Sequence, residues 1–207
     1  MTTLGEGGMV TTDSEELWNA MWSFKDHGKN YDAVYRRPHP PGFRWLHESF
    51  GTNWRLTEPQ SAVGRIQLAK IPAWLAARRR HAAILTDGLS SIPGLRVTRP
   101  PAGVGHAYYK YYVFVRPEQL RSGWTRDRIM AEINARGVTC HSGSCSEIYL
   151  ERAFPPAMRP GHPLPVAHEL GETSLMFLVH PPLRERDMYH TFDVTAEVMA
   201  EAVQPRP

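Results

Sequence analysis

Residues 51–62 read Gly51-Thr52-Asn53-Trp54-Arg55-Leu56-Thr57-Glu58-Pro59-Gln60-Ser61-Ala62, a polar run that turns into the start of a helix. Thr57 and Gln60 stand at the two ends of a capping box, in which the hydroxyl accepts from the backbone three residues on and the longer side chain reaches back. Pro59 falls in the first turn, where its missing N–H breaks no hydrogen bond. Ala62, Val63, Ile66 and Ala69 then recur at helical spacing. Pro72 predicts an interruption, and a second helix is expected from about Ala73 to Leu89, carrying Trp74, Ala77, His81, Ile84 and Leu85. The free N–H groups and dipole of a helix N-terminus favour an anion, so the polar residues before Thr57 suit a phosphate.

Upstream, Gly5-Glu6-Gly7-Gly8 supplies a permissive turn and Met9-Val10-Thr11-Thr12 favours extended backbone, which predicts a strand–turn–strand over residues 2–12. No Gly-Lys-Ser/Thr follows, so this is neither a Walker loop nor a dinucleotide turn. Thr12 or Asp13 is expected to cap a helix, with Glu15 or Glu16 as partner, Leu17, Ala20, Met21 and Phe24 on one face, and Gly28 at its end. Residues 29–50 mix Pro, Gly, aromatics and Arg without a period and read as a long loop.

Downstream, the pattern changes at Ile92-Pro93-Gly94. Strands are expected at Leu95-Arg96-Val97, from Tyr108 to Val115 and from Ser174 to Val179, with a strand or loop at Val138-Thr139-Cys140. Helices are expected from a Thr125 cap through Ile133 to Gly137, around Glu147 to Phe154, and from Arg184 to Ala202 with Met188, Phe192, Ala196 and Met199 inward. Interleaved strands and helices make residues 92–207 an α+β sandwich. Residues 1–91 have no sheet of their own to cover and read as the end of a larger domain.

The chain has 207 residues, 42% hydrophobic and 22% charged, the profile of an ordinary globular protein. No apolar run reaches membrane-spanning length. Met1-Thr2-Thr3-Leu4-Gly5-Glu6 has neither a basic stretch nor an apolar core, so no signal peptide is expected and a cytoplasmic location follows. Arg78-Arg79-Arg80 reads as the solvated face of a helix; a phosphate-binding stripe is the alternative, and three arginines do not make a nucleic-acid footprint. Cys140 and Cys145 flank His141 in a short loop; neither a disulfide nor a metal site is expected there.

Taken together, the motifs become specific. Thr2-Thr3-Leu4-Gly5-Glu6-Gly7-Gly8 resembles the T-T-x-G-E-G-G segment of the DegT/DnrJ/StrS sugar aminotransferases, and His27-Gly28 resembles the pair that ends their next helix. The 51–62 run is similar to their G-x-N-x-R-M-x-E-x-Q-A-A. Gln67-Leu68, Arg78-Arg79, the aromatic strand Tyr108 to Tyr112, Leu164-Pro165 and the Ser174 to His180 segment continue in order over nearly the whole chain.

The resemblance implies an α/β chain: the C-terminal part of a fold-type-I pyridoxal-phosphate (PLP) dependent transferase, with an α+β small domain. Residues 1–91 would then end the large cofactor domain and residues 92–207 form the small one. It also implies a homodimer that moves an amino group from a donor such as glutamate onto a keto sugar nucleotide, with no nucleic acid, membrane or metal involved. The family's cofactor-bearing lysine lies in S-F-H-x-x-K, just before T-T-x-G-E-G-G, which places it immediately upstream of Met1. Lys25, Lys29, Lys70 and Lys110 stand elsewhere, and Ser23-Phe24-Lys25 lies after the Gly-rich turn and lacks the histidine. The expectation is therefore a chain with no catalytic lysine, inactive alone; the alternative is a non-catalytic dimerisation or regulatory protein.

Among the residues present, the resemblance matches Asn53 to an asparagine that reaches across the dimer to the cofactor phosphate. Its other reading is an asparagine that turns the loop before Thr57. Arg55 either neutralises a phosphate or carboxylate or braces the helix by an ion pair. His141 sits near the family's H-Y-x-P, ahead of the substrate pocket; the sequence here departs to His141-Ser142-Gly143-Ser144-Cys145, which leaves a loop histidine as the other reading.

Overall fold

The computed structural model describes residues 4–42 and 44–204. Its contacts divide the chain between Ile71 and Pro72 into two units. In the first, helix α1 (Glu15–Lys25) is capped by Ser14, whose hydroxyl accepts from Leu17 N at 3.2 Å. Thr12, expected as a cap, instead accepts from Ser14 N at 3.1 Å and fixes the chain entering the helix. The expected long loop contains a short helix α2 (Tyr31–Tyr35), made possible because the Asn30 side chain takes Ala33 N at 2.9 Å. Residues 4–12 form no strand, and Met9 and Val10 are exposed. The predicted hairpin therefore fails over its described part: strand preference is realised only against a sheet that offers a half-buried surface. Its first residues, Thr2 and Thr3, lie outside the described residues.

Helix α3 (Glu58–Leu89) runs without a break through Pro72, correcting the two expected helices. The capping box forms as read: Thr57 N and Gln60 N reach each other's side chains at 3.4 and 3.5 Å. A proline inside a helix costs about 3 kcal/mol. Breaking the helix would orphan a full set of terminal N–H and C=O groups, and no Ser, Thr, Asp or Asn stands between Ala69 and Trp74 to cap a new start. Continuing is the smaller penalty.

The second unit carries an antiparallel sheet of β1 (Leu95–Val97), β2 (Tyr111–Val115), β3 (Cys140–His141) and β4 (Ser174–Phe177), in the order β1-β2-β4-β3. Strand alternation sends Tyr111, Val113 and Val115 inward with Leu175 and Phe177. That face is covered by α4 (Arg126–Ala135), α6 (Glu185–Ala202) and the second half of α3 through Ala82, Leu85 and Leu89. Thr125 caps α4 by accepting Arg128 N at 3.2 Å, and Gly137 takes the left-handed turn after it, both as read. Val194, Val198 and Ala202 join Met188 and Met199 in the buried face of α6, while Phe192 and Ala196 are only half-buried. A helix that the periodicity did not show, α5 (Pro165–Thr173), packs on β2, and Arg96 ties it to the sheet by pairing with Glu169 at 3.5 Å while lying 4.4 Å from the centroid of the Phe114 ring. The helix expected at Glu147–Phe154 is a single 3-10 turn, Ile148–Leu150.

The arginine run is a solvated face only in part. Arg78 is buried and donates from Nη1 to the carbonyls of Tyr108 and Tyr109, both at 3.0 Å, and Arg79 donates to the His106 carbonyl at 3.2 Å. Arg79 stays exposed while making that bond, and Arg80 is exposed too, 3.7 Å from Glu185; Arg78 and Arg79 are the two that hold backbone carbonyls. The pair fastens the chain entering β2, where Tyr108 takes a positive φ of 46°. Tyr111 is a core residue; its hydroxyl meets Thr86 at 3.0 Å, and burial pushes the phenol up to about 12.

His180 lies beyond β4, where burial and then the charge of Arg78 and the neighbouring His81 hold its pKa down. A base depressed on folding binds its proton more readily when unfolded, so its neutral form contributes fully above its ordinary value of about 6.5 and stability falls as pH drops through the folded value. The exposed His168, raised by Glu147, runs the opposite way. Comparing urea midpoints of the native chain and His180→Gln between pH 7 and pH 5 isolates the first effect. The native chain is expected to lose more stability over that range; equal losses would refute the assignment.

Candidate functional site

The C-terminal end of α1 and the 51–55 segment are laced together by their backbones. His27 N donates to Thr52 O at 3.0 Å, Thr52 N to Phe24 O at 2.7 Å and Trp54 N to Lys25 O at 2.9 Å, with Asp26 and Asn53 as antiparallel bridge partners. His27 and Gly28 both take left-handed backbone, φ 61° and 83°. This is what the His-Gly pair is for: the chain must reverse within two residues to bring residues 46–53 alongside. The approach is close enough that a Cβ on Gly28 would fall on the Ser49 carbonyl oxygen, and one on Gly51 on Gly28 N.

Successive side chains of an extended segment alternate, so Asn53 and Arg55 share a face and Trp54 takes the other. On that face Arg55 donates from Nη1 to Asp26 Oδ1 at 2.7 Å, and Lys29 Nζ reaches the same oxygen at 3.2 Å. The Asp26 side chain is only 11% exposed, against 45% for Arg55. Burial pushes the Asp26 carboxyl up, but Lys29, through its hydrogen bond and charge, and the charges of Arg55 and Lys25 hold it below the usual range. Arg55 is thus ion-paired with Asp26 in this structure. Asn53 Oδ1 accepts Arg55 N at 3.5 Å. Its Nδ2 donates to nothing among the described residues, and the side chain is exposed.

These residues fit a phosphate. An uncommitted amide donor stands beside one carboxylate shared by two cations, a local excess of one positive charge. The sequence pointed to Asn53 and Arg55 but missed Asp26, although its i,i+3 relation to Lys29 was visible.

His141 belongs to the second unit, at the exposed edge of the sheet in β3, paired with Met176 of β4. It opens a loop that lines a cleft of about 460 Å³ bounded by residues 142–147, 150–152 and 171–172. Ser174 Oγ donates to Ser142 O at 2.6 Å, and the Tyr112 ring packs on Gly143. Glu147 takes Tyr149 Oη at 2.6 Å and His168 Nδ1 at 2.9 Å, and both hydrogen bonds hold its carboxyl low. Cys140 is buried and its thiol is pushed up to about 12, whereas Cys145 is exposed on the cleft loop. The wall of three serines and three glutamates was invisible to sequence reading, because Gly171 and Glu172 join it from α5.

The model of the DegT/DnrJ/EryC1/StrS aminotransferase family matches residues 1–194. The chain belongs to that family. It is 29% identical over 196 residues to the dTDP-3-amino-3,4,6-trideoxy-alpha-D-glucose transaminase of Streptomyces venezuelae, covering 93% of this chain and 46% of the relative. The aminotransferase of Psychrobacter cryohalolentis superposes with a TM-score of 0.84 at 50% identity, covering 92% of this chain and 51% of that one. The E. coli GDP-4-keto-6-deoxy-D-mannose-3-dehydratase, with bound hydrated PLP, shares the fold with a TM-score of 0.71 at 19% identity, over 89% of this chain and 48% of that one. The chain thus spans about half the length of these relatives. The family is PLP-dependent and includes transaminases and dehydratases of nucleotide-linked sugars. The mixed α/β fold is that of part of a fold-type-I transferase. Among the described residues, no helix is long and apolar enough to cross a membrane.

Proposed function

We propose that this chain supplies the part of a sugar aminotransferase that follows the cofactor-bearing lysine. The intact enzyme would be a cytoplasmic homodimer that moves an amino group from a donor such as glutamate to a keto group on a nucleotide-linked sugar. The observation that carries this is the Asn53 loop, which offers a neutral phosphate donor on a braced, locally positive face. Arg55 supports that face from its ion pair with Asp26, and His141 with the adjoining cleft forms the substrate side. When bound, pyridoxal phosphate supplies the electron sink for proton removal at the amino-bearing carbon; the role of this chain is to hold the phosphate and shape the sugar pocket.

The first unit supports an origin in a larger domain. Leu17, Phe24, Val63 and Ile66, read as inward-facing, are exposed, and among the described residues of that unit only Ala33 and Leu46 are buried apolar residues. We assign residues 1–91, which include this unit, to the end of the cofactor domain, and residues 92–207, which carry the sheet, to the small domain.

As it stands, this chain does not transaminate. A lysine that captures an aldehyde must present a neutral amine in a dedicated pocket. Lys29 is held by Asp26, while Lys25 and Lys110 lie over the rings of Trp22 and Tyr109, at 5.2 and 5.6 Å. Lys70 lies on the exposed run of α3. Treating the purified chain with pyridoxal phosphate and borohydride is expected to give no stoichiometric adduct on any of the four lysines, and no amination of a keto sugar nucleotide. A one-to-one adduct with turnover would overturn this reading. A non-catalytic dimerisation or regulatory role is favoured by one feature, the closed core of the second unit; it requires the chain to unfold cooperatively by itself and to expose little dye-binding surface.

A further inference from the structure

The same face of the first unit contains a carboxylate that the proposed phosphate site does not use directly. Asp26 closes α1, is nearly enclosed, and places a single oxygen between Arg55 Nη1 at 2.7 Å and Lys29 Nζ at 3.2 Å. Its backbone is the bridge partner of Asn53. Arg55 N in turn donates to Asn53 Oδ1, so one chain of contacts runs from the carboxylate through Arg55 to the amide. With Oδ1 held from the Arg55 side, the amide must present its Nδ2 donors outward.

We propose that Asp26 is the positioning residue of the Asn53 loop. It fixes which end of the amide faces the anion, and it keeps both cations engaged at its own oxygen, so that the phosphate is met by a neutral donor in a set geometry. The proposal rests on the phosphate reading of Asn53, and simple electrostatics predicts the opposite outcome of its test. Replacing Asp26 by Asn makes the face one unit more positive, which by charge alone tightens anion binding. If Asp26 positions the loop, binding weakens instead.

The test follows the Asn53 side-chain amide in ¹⁵N spectra of the full chain during titration with inorganic phosphate, for the native protein and Asp26→Asn. The expected result is a roughly tenfold weaker response in the variant, together with at least tenfold faster exchange of the His27, Thr52 and Trp54 amides and unchanged exchange in β2 and α6. Asp26→Glu, which keeps the charge, is expected to recover part of the phosphate response. Equal or tighter phosphate binding by Asp26→Asn overturns the proposal, as does unchanged exchange of those three amides. A native Asn53 amide that ignores phosphate, with loop exchange still accelerated in the variant, would refute the phosphate reading while leaving Asp26 as the group that orders the loop.

Discussion

Gly28→Ala is expected to unlace the 24–55 segment and to destabilise the first unit by about 3–5 kcal/mol. Two costs combine. At φ 83° an L side chain is strained, by roughly 1–2 kcal/mol. The added carbon would also fall on the Ser49 carbonyl oxygen, which is backbone and cannot rotate away. Separating the two strands of chain would break the Glu48 N and Ser49 N hydrogen bonds to Gly28 O, at 3.0 and 3.2 Å, and with them the approach that brings Thr52 to Phe24. Few buried apolar contacts oppose that opening, because among the described residues of the first unit only Ala33 and Leu46 are buried and apolar. Amide exchange of Thr52 and Trp54 should reach rates close to those of unprotected amides, while β2 and β4 keep their protection. Gly42→Ala is the control: it also has positive φ, 92°, but its Cβ meets nothing within 4 Å, so only the smaller strain penalty applies. If the two variants behave alike, steric closure at Gly28 is not what holds the loop.

The contrast between these glycines explains how far the sequence could be read. Local chemistry was legible. The Thr57–Gln60 box, the Thr125 cap and the Gly137 stop each depend on neighbours within a few residues, and each appears where the pattern put it, while the strand expected from Tyr108 to Val115 begins at Tyr111. What depended on distant partners was not. Met9-Val10 has strand preference, yet joins no sheet among the described residues. Pro72 looks like a break until the absence of a new cap is weighed. Arg78 reads as surface because nothing nearby in sequence reveals that the carbonyls of Tyr108 and Tyr109 will need a donor. At the site, Asn53 and Arg55 stood out through motif order, whereas the ion pair between Arg55 and Asp26 spans 29 residues.

The second large effect lies in the other unit, at Phe177→Ala. Phe177 is fully buried at the centre of the sheet, opposite Tyr111 in β2 and Cys140 in β3. Removing a ring from such a position costs about 3–5 kcal/mol, through lost transfer energy and the cavity that remains. The cavity cannot collapse easily, since β2 and β3 flank the strand through backbone ladders and Phe177 shares one buried core with Leu85, Leu175 and Met188. Phe50→Ala, whose ring is fully exposed, should stay within about 0.5 kcal/mol of the native chain. The consequence reaches the cleft because its loop hangs on the same strand: Ser174 Oγ holds Ser142 O, and Met176 pairs with His141. Urea unfolding followed by tryptophan fluorescence should show the loss in midpoint, and exchange of the β3 amides should accelerate with that of β4. A Phe177→Ala chain whose β4 loosens while β3 stays protected would mean that the cleft loop is held by α5 and the Glu147–His168 pair, and that the sheet is not what fixes His141.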